Sequence, residues 1–265
     1  MSQTSRRDLL WSEDFTSYKT TKLNELIWNF DLGDGSQFGL TGWGNHEREF
    51  YTEDSIRIEE NLVIQADRLP NDSGFQCYYG PAEWKSGKIH TAGKVGFKYG
   101  YLEIEAKLPS GVGTWPALWM LGKNLLNGVA WPQCGEIDIL ENTGAHPRRV
   151  QGTIHGPDYF GEKGLTKIIE SQTPLSADFH RFGIEWRPES ISWFFDGMCY
   201  NTIKKTEVEN SAKLWPFDQE FYLILNLAIG GWFAGVVDPL LDSASLAISS
   251  IKYFSVDGFG EIILY

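Results

Sequence analysis

Residues 134–141, CGEIDILE, constrain this chain more than any other stretch. Three carboxylates are interleaved there with small and branched aliphatic residues, and the segment is too short and too β-branched to favour a helix. Side chains of a strand point alternately to opposite faces. Glu136, Asp138 and Leu140 would therefore share one face, with Ile137, Ile139 and Glu141 on the other. Glu141 has the wrong parity to join the first two acids. One extra residue taken up as a β-bulge near Ile139-Leu140 corrects the parity and re-aims Glu141. Three acids then line one surface. Like charges gathered that closely cost energy, so stability is a poor reason for them, and a carboxylate active site is the expectation.

The chain has 265 residues, enough for one large β domain or two small ones with a sizeable core. Aromatics make up 14% of residues, with 11 Trp, while 28 Gly and 11 Pro supply frequent turns. That composition favours a β-sandwich or barrel over a helical bundle. The net charge of −12 and a pI of about 4.9 argue against nucleic acid, anionic membranes and acidic polymers as partners. A neutral polymer or small molecule is left. Cys77, Cys134 and Cys199 are far apart without paired ligand spacing and read as isolated thiols, with one disulfide still open and no zinc site. His46, His90, His146 and His180 show no metal spacing either. The N-terminal MSQTSRRDLLWSEDF is not a signal peptide, and no stretch is long enough to cross a membrane. Either the protein is not exported by that route or this chain begins after a removed leader.

Strand-like runs recur along the chain. DLLWSEDF (8–15) opens it, and 24–58 is irregular, Gly- and aromatic-rich, with one weak helical candidate at 23–30. Runs follow at 55–69, 86–109, 115–121, 135–142, 150–156, 181–188, 191–203, 221–231 and 246–256, and Asp196-Gly197 between apolar runs signals a hairpin. No repeat or linker interrupts them. One all-β domain over 1–265, a sandwich of two sheets, is the reading. In 221–231, Leu223, Leu225, Leu227 and Ile229 share one face, leaving Tyr222, Asn226 and Ala228 opposite. Gln151, Thr153 and His155 oppose Ile154, and Trp115 shares a parity with Trp119. Polar and aromatic groups opposite aliphatic faces suit a sheet whose free face is a groove for an oligosaccharide, since aromatic rings stack on sugars. Trp28, Trp84, Trp186, Trp193 and Trp215 read as core, and Cys134 as a buried, inert thiol.

Glycoside hydrolysis needs two carboxyl groups flanking one bond, roughly 5–5.5 Å apart when a covalent intermediate forms. On a flat strand the Cα atoms of Glu136 and Glu141 are roughly 16 Å apart at about 3.3 Å per residue. A bulge, sheet curvature and converging side chains shorten that gap. Asp138, between them, can help separate their two pKa values, so that one acid is ionised while the other holds a proton.

With these residues in view, the sequence resembles glycoside hydrolase family 16, which carries E-x-D-x-x-E on a curved β-jelly roll. The resemblance extends over WSEDF (11–15), GWGNHEREFYT (42–52), YGYLEIEAKLPSGVGTWPALWML (99–121), WPQCGEIDILE (131–141), GTIHG (152–156), EWRPESISWFFDG (185–197) and NLAIGG (226–231), in the family's order. Members with the extra residue are similar to laminarinases, endo-acting β-1,3-glucanases, and to some 1,3(4)-β-glucanases. Unbulged members are lichenases and transglycosylases.

The resemblance implies two curved antiparallel sheets with a concave groove, and a retaining reaction on neutral β-glucan. Glu136 would be the nucleophile, Glu141 the general acid/base and Asp138 the supporting acid. Trp115, Trp131, Asn45, Glu47 and His155 would contact substrate or flank the acids, with Trp119 a platform or packing beneath one. Asn226, on the groove parity, joins this set. Lys88 stands where relatives carry Arg, whose planar fork it lacks. The family's GG-N-W-P-G loop reads Gly230-Gly231-Trp232-Phe233-Ala234-Gly235, which leaves Trp232 and Phe233 as alternative stacking platforms. Ser249 stands where relatives carry an Asp that helps bind a structural calcium, which puts that ion in doubt; no cofactor is required. A monomer is expected, and extracellular action follows from the substrate alone. The alternatives are a mixed-linkage glucanase or transglycosylase on the same fold, and a glucan-binding protein without catalysis.

Overall fold

A computed structural model of the chain describes residues 6–265; residues 1–5, the start of the segment read above as no signal peptide, lie outside the described residues. Among the described residues no helix is long and apolar enough to cross a membrane. Two large sheets and one two-stranded ribbon hold nearly all the strands. The first sheet runs in the order Met198–Lys204, Ser190–Phe195, His180–Arg187, Gly100–Lys107, Ser243–Val256, Leu62–Arg68, Trp84–Ser86, Glu49–Tyr51. The second runs Leu165–Glu170, Arg149–His155, Glu136–Glu141, Thr114–Gly122, Phe221–Ile229, Val95–Lys98, Glu261–Leu264, with Lys88–His90 also pairing to Phe221–Ile229. Pairing is antiparallel throughout, except that Glu49–Tyr51 lies parallel to Trp84–Ser86. Neighbours distant in sequence, such as Thr114–Gly122 beside Phe221–Ile229, give the jelly-roll connectivity of a two-sheet sandwich.

Local chemistry accounts for the elements. At the Asp196-Gly197 hairpin Phe195 pairs with Met198, and both turn residues have positive φ (48° and 81°), the geometry a tight two-residue turn demands. The 23–30 stretch is not helical. Asn24 accepts the Leu26 amide on its side chain and the Ile27 and Trp28 amides on its carbonyl, which closes a turn and sends Trp28 into the core. A polar side chain that captures local amides competes with helix formation in this way. The three cysteines are free, so no disulfide forms, and burial pushes the Cys134 thiol up to about 11, far from nucleophilic.

The core fills the space between the sheets. Leu223, Leu225, Leu227 and Ile229 are fully buried and meet Ile104, Phe182, Ile184, Trp186 and Trp193 from the other sheet. Each such side chain contributes about 1.5–3 kcal/mol by leaving water. The five tryptophans read as core are all buried. With its inner face committed to packing, the second sheet turns Tyr222, Ile224, Asn226 and Ala228 to its outer face, together with Trp115, Ala117, Trp119 and Leu121.

Candidate active site

The acid strand Glu136–Glu141 lies in the middle of the second sheet, and its bulge falls at Ile139. On the Thr114–Gly122 side, Leu118 pairs with Leu140 and the next residue, Trp119, with Asp138, so the register passes over Ile139. On the Arg149–His155 side the register also shifts between Asp138 and Glu141. Ile137, Ile139 and Leu140 all enter the core, two of them consecutive in sequence. Burial of two adjacent aliphatic side chains, about 1.5–3 kcal/mol each, offsets the lost ladder pairing. The alternation restarts one residue late, and Glu136, Asp138 and Glu141 share the outer face. At the bulge the buried Trp193 donates its indole N–H across the core to the Asp138 carbonyl at 2.8 Å.

Each acid has its own surroundings. Glu136 accepts the Trp131 indole N–H at 2.7 Å and lies 3.7 Å from His155 Nε2. Asp138, only 2% exposed, lies 3.2 Å from the same Nε2. Glu141 accepts the Trp115 indole N–H at 3.2 Å and the Gln151 amide at 3.4 Å. Burial pushes all three carboxyls up, Glu136 and Asp138 well above the usual range. The charge of Asp138 adds to the rise at Glu136, and that of Glu141 adds to the rise at Asp138. The indoles and His155 oppose the rise at the two glutamates. Acids this close titrate as a group, each charge raising its neighbour's affinity for a proton. The shortest donor bond is at Glu136, where it opposes the rise without cancelling it; the donors to Glu141 are longer.

Donor atoms of Glu136, Asp138 and His155 lie within 4.8 Å of one another, a spacing that could admit a cation. These are the same groups that carboxylate chemistry needs as free acids. At the position discussed for calcium, the Ser249 hydroxyl is occupied in a hydrogen bond to the Glu105 carboxylate. A neutral hydroxyl also lacks the charge that hard cations favour in a ligand.

The other residues singled out from the sequence surround the acids in two groups. Trp119 donates to Asn226 at 2.8 Å, Asn226 donates to the Tyr51 hydroxyl at 3.1 Å, and Tyr51 and Asn45 both donate to Glu47. This network lies along the floor of the groove. Lys88 is buried beside it, 3.2 Å from Asp31 and 4.0 Å over the Trp43 ring, so its ammonium is already satisfied within the protein. Trp131 and Phe160 meet edge to face at 5.4 Å beside Glu136. Phe233 packs at 5.0 Å on Trp115, beside Glu141, whereas Trp232 is 73% exposed and faces His46 at 4.5 Å. The loop bearing these two rings docks on the Asn45 loop through the Trp232 amide to the Asn45 carbonyl at 2.9 Å. Gly231 makes that approach possible: its φ is +73°, and a Cβ there would stand 2.9 Å from the Asn45 carbonyl oxygen.

Sequence reasoning gave no role to Tyr51, Trp43, Asp31, Phe160 or Gln151. Gln151 had a signal, the groove parity it shares with His155. Tyr51 and Asp31 come from the irregular 24–58 stretch, where period carries no information about which face a side chain takes.

The family model for glycosyl hydrolases family 16 matches residues 43–245. A beta-glucanase of Rhodothermus marinus is 38% identical over 254 residues, covering 93% of this chain and 85% of that protein. Glucan endo-1,3-beta-glucosidase A1 of Niallia circulans is 36% identical over 88% of this chain, a match that spans 35% of that longer protein. The catalytic domain of an endo-1,3-beta-glucanase (laminarinase) from Thermotoga petrophila superposes with a TM-score of 0.90 at 38% identity, covering 96% of this chain and 100% of that one. A bulged strand that carries three acids on one face of a jelly roll, together with similarity along nearly the whole chain, places this protein among the glycosyl hydrolases of family 16.

Proposed function

We propose that the chain is a single catalytic domain that hydrolyses β-1,3-glucosidic bonds within laminarin-type β-glucan, with retention of configuration. The observation that carries this reading is the bulge at Ile139, which sets Glu136 and Glu141 on one face about Asp138, each held by its own indole donor. The ionised Glu136 attacks the anomeric carbon while Glu141 gives its proton to the departing glycosidic oxygen, leaving a glycosyl ester on Glu136. Glu141, now a base, takes a proton from water; the water oxygen bonds to the anomeric carbon and the ester C–O bond breaks. Asp138 supports the pair by opposing a second charge beside it. Trp131, Trp115, Phe233 and Trp232 offer faces for sugar rings, and Asn45, Glu47, His155, Asn226 and the floor at Trp119 supply polar contacts or backing. Two carboxyl groups and one water account for every proton moved and both nucleophiles, so no cofactor enters the scheme, and the −12 charge suits a neutral glucan.

Proton NMR of the first products from laminarin should show the β-anomer before mutarotation, and chromatography should show internal cleavage of laminarin in preference to lichenan. Initial α-anomers would remove Glu136 from the nucleophile's role, and faster cleavage of lichenan would move the substrate to mixed-linkage glucan. Trp131→Phe removes the donor that opposes burial at Glu136. The carboxyl then rises further, and the acid limb of the kcat/KM profile moves to higher pH, with a loss of about tenfold on that limb from one charge-assisted hydrogen bond. An acid limb that stays in place in Trp131→Phe rejects that account of Trp131.

A further inference from the structure

Behind the Asn45–Glu47 loop lies a second pair of buried acids that the reaction does not use. Glu49, in the strand Glu49–Tyr51, is fully buried; its Oε2 accepts the Ile229 amide at 2.7 Å and its Oε1 has no hydrogen-bond donor. Glu47, two residues earlier at an isolated bridge to Gly230, is 5% exposed, and its charge bears on the Glu49 carboxyl. Glu47 itself accepts Asn45 Nδ2 at 3.0 Å and the Tyr51 hydroxyl at 3.3 Å. Through Tyr51 and Asn226 this chain of polar groups continues to Trp119 on the groove floor. Arg48, between the two acids in sequence, is directed elsewhere, to Glu83 at 2.6 Å and over the Tyr79 ring at 4.1 Å. The titratable groups that face Glu49 are Glu47 and Tyr51 from its own segment and Cys77 and Tyr78 from the segment packed against it. From the Phe221–Ile229 strand it meets a neutral amide. No cation is bonded to either acid among the described residues. Two carboxylates side by side in such a place cannot both be ionised.

We propose that Glu49 is a positioning residue: it keeps its proton, donates it in a hydrogen bond from Oε1 to Glu47, and thereby holds Glu47 and Asn45 in their substrate-contacting geometry. The orphaned Oε1 is then the donor, and Glu47 is the common acceptor of three neighbours. Burial is the main cause that raises this carboxyl well above its ordinary range, and the charge of Glu47 is the next. When Glu49 ionises, the bond turns into repulsion and the loop loosens. The KM readout rests on the glucan-cleaving reading above; the stability readout does not.

Glu49→Gln keeps an N–H donor and cannot titrate, whereas Glu49→Leu has no donor. For the wild type, KM on laminarin is expected to rise about fivefold as pH climbs through the ionisation of Glu49, the effect of losing one hydrogen bond. The ratio of wild-type to Glu49→Gln KM isolates this step from titration of the catalytic acids. Glu49→Leu should show the raised KM at every pH, and Gln should rescue it. Because the folded-state carboxyl is raised, its favourable contribution is complete below the ordinary value of 4.5 and is lost as pH rises through the folded value. The Tm of Glu49→Gln should therefore pull ahead of the wild type with rising pH, by roughly 2–4 °C. A flat Tm gap overturns the protonated state, and a widening gap without the KM step overturns the positioning role. If the wild type cleaves no laminarin at any pH, the substrate reading fails instead, and the Tm gap still decides the state of Glu49.

Discussion

Glu136→Gln is expected to lower kcat on laminarin by on the order of 10⁴-fold or more and, in the same protein, to raise thermal stability. The first effect follows from the proposed role of Glu136 as nucleophile: an amide cannot form the glycosyl ester, and Asp138, sunk between the two glutamates, is poorly placed to replace it. The second follows from what the fold tolerates in order to keep the acid. Glu136 is raised by burial and by the charge of Asp138, so its protonated form is the one the fold favours. Stability from that group is complete below its ordinary value of 4.5 and falls as pH rises through the folded value. Gln mimics the protonated form at all pH and can still accept the Trp131 indole. The variant and the wild type should thus melt together in acid and separate at higher pH, with the variant above by roughly 2–4 °C for each kcal/mol relieved. Parallel measurement of kcat and of Tm against pH checks both halves. A variant that loses activity and stability together would make Glu136 a packing residue, and one that keeps its rate would return the chemistry to another acid.

The same opposition between packing and chemistry explains what the sequence could disclose. The inner faces are readable because a period of two fixes them: Leu223, Leu225, Leu227 and Ile229 obey it, and so do Trp84, Trp186 and Trp193. The acid strand was readable because it breaks the period. Glu141 falls on the wrong parity unless one residue is extra, and the register does pass over Ile139. What stayed hidden depends on contacts between distant segments. Nothing near Tyr51 in sequence announces Asn226, 175 positions away, as its partner. Lys88 is a candidate substrate contact only through the resemblance, because relatives carry Arg there; its burial against Asp31 and Trp43 depends on a loop whose path no period describes. The two exposed rings after Gly231 were inseparable as letters. Their neighbours distinguish them, because Phe233 adjoins Trp115 while Trp232 adjoins His46.

The bulge has a counterpart on the far side of the core, and the second large effect is expected there. Trp193 belongs to the opposite sheet, is fully buried, and sends its indole N–H to the Asp138 carbonyl at 2.8 Å. Its ring occupies space that Gly152 leaves free: a Cβ on Gly152 would stand 2.3 Å from Trp193 Cδ1 and 2.5 Å from Nε1. Gly152 has ordinary backbone angles for a strand, so the requirement there is room and not conformation. Trp193→Phe leaves the Asp138 carbonyl without its donor, at about 1–3 kcal/mol, and a void where the larger ring was, so a loss of roughly 2–4 kcal/mol in unfolding free energy is expected. The loss should reach the chemistry as well, because Asp138 and Glu141 are aimed by the backbone that this bond fixes. A drop in kcat of about tenfold or more, larger than any change in KM, is the expected signature. Gly152→Ala attacks the same contact from the other side and should cost about 1–3 kcal/mol by overpacking. Since both changes act through one indole, the double variant Gly152→Ala/Trp193→Phe should lose less than the sum of the single losses. Urea unfolding of the four proteins, with kcat measured on each, tests the cycle. Strict additivity, or a Trp193→Phe enzyme with an unchanged kcat, would mean that the bulge holds its acids in place without support from the opposite sheet.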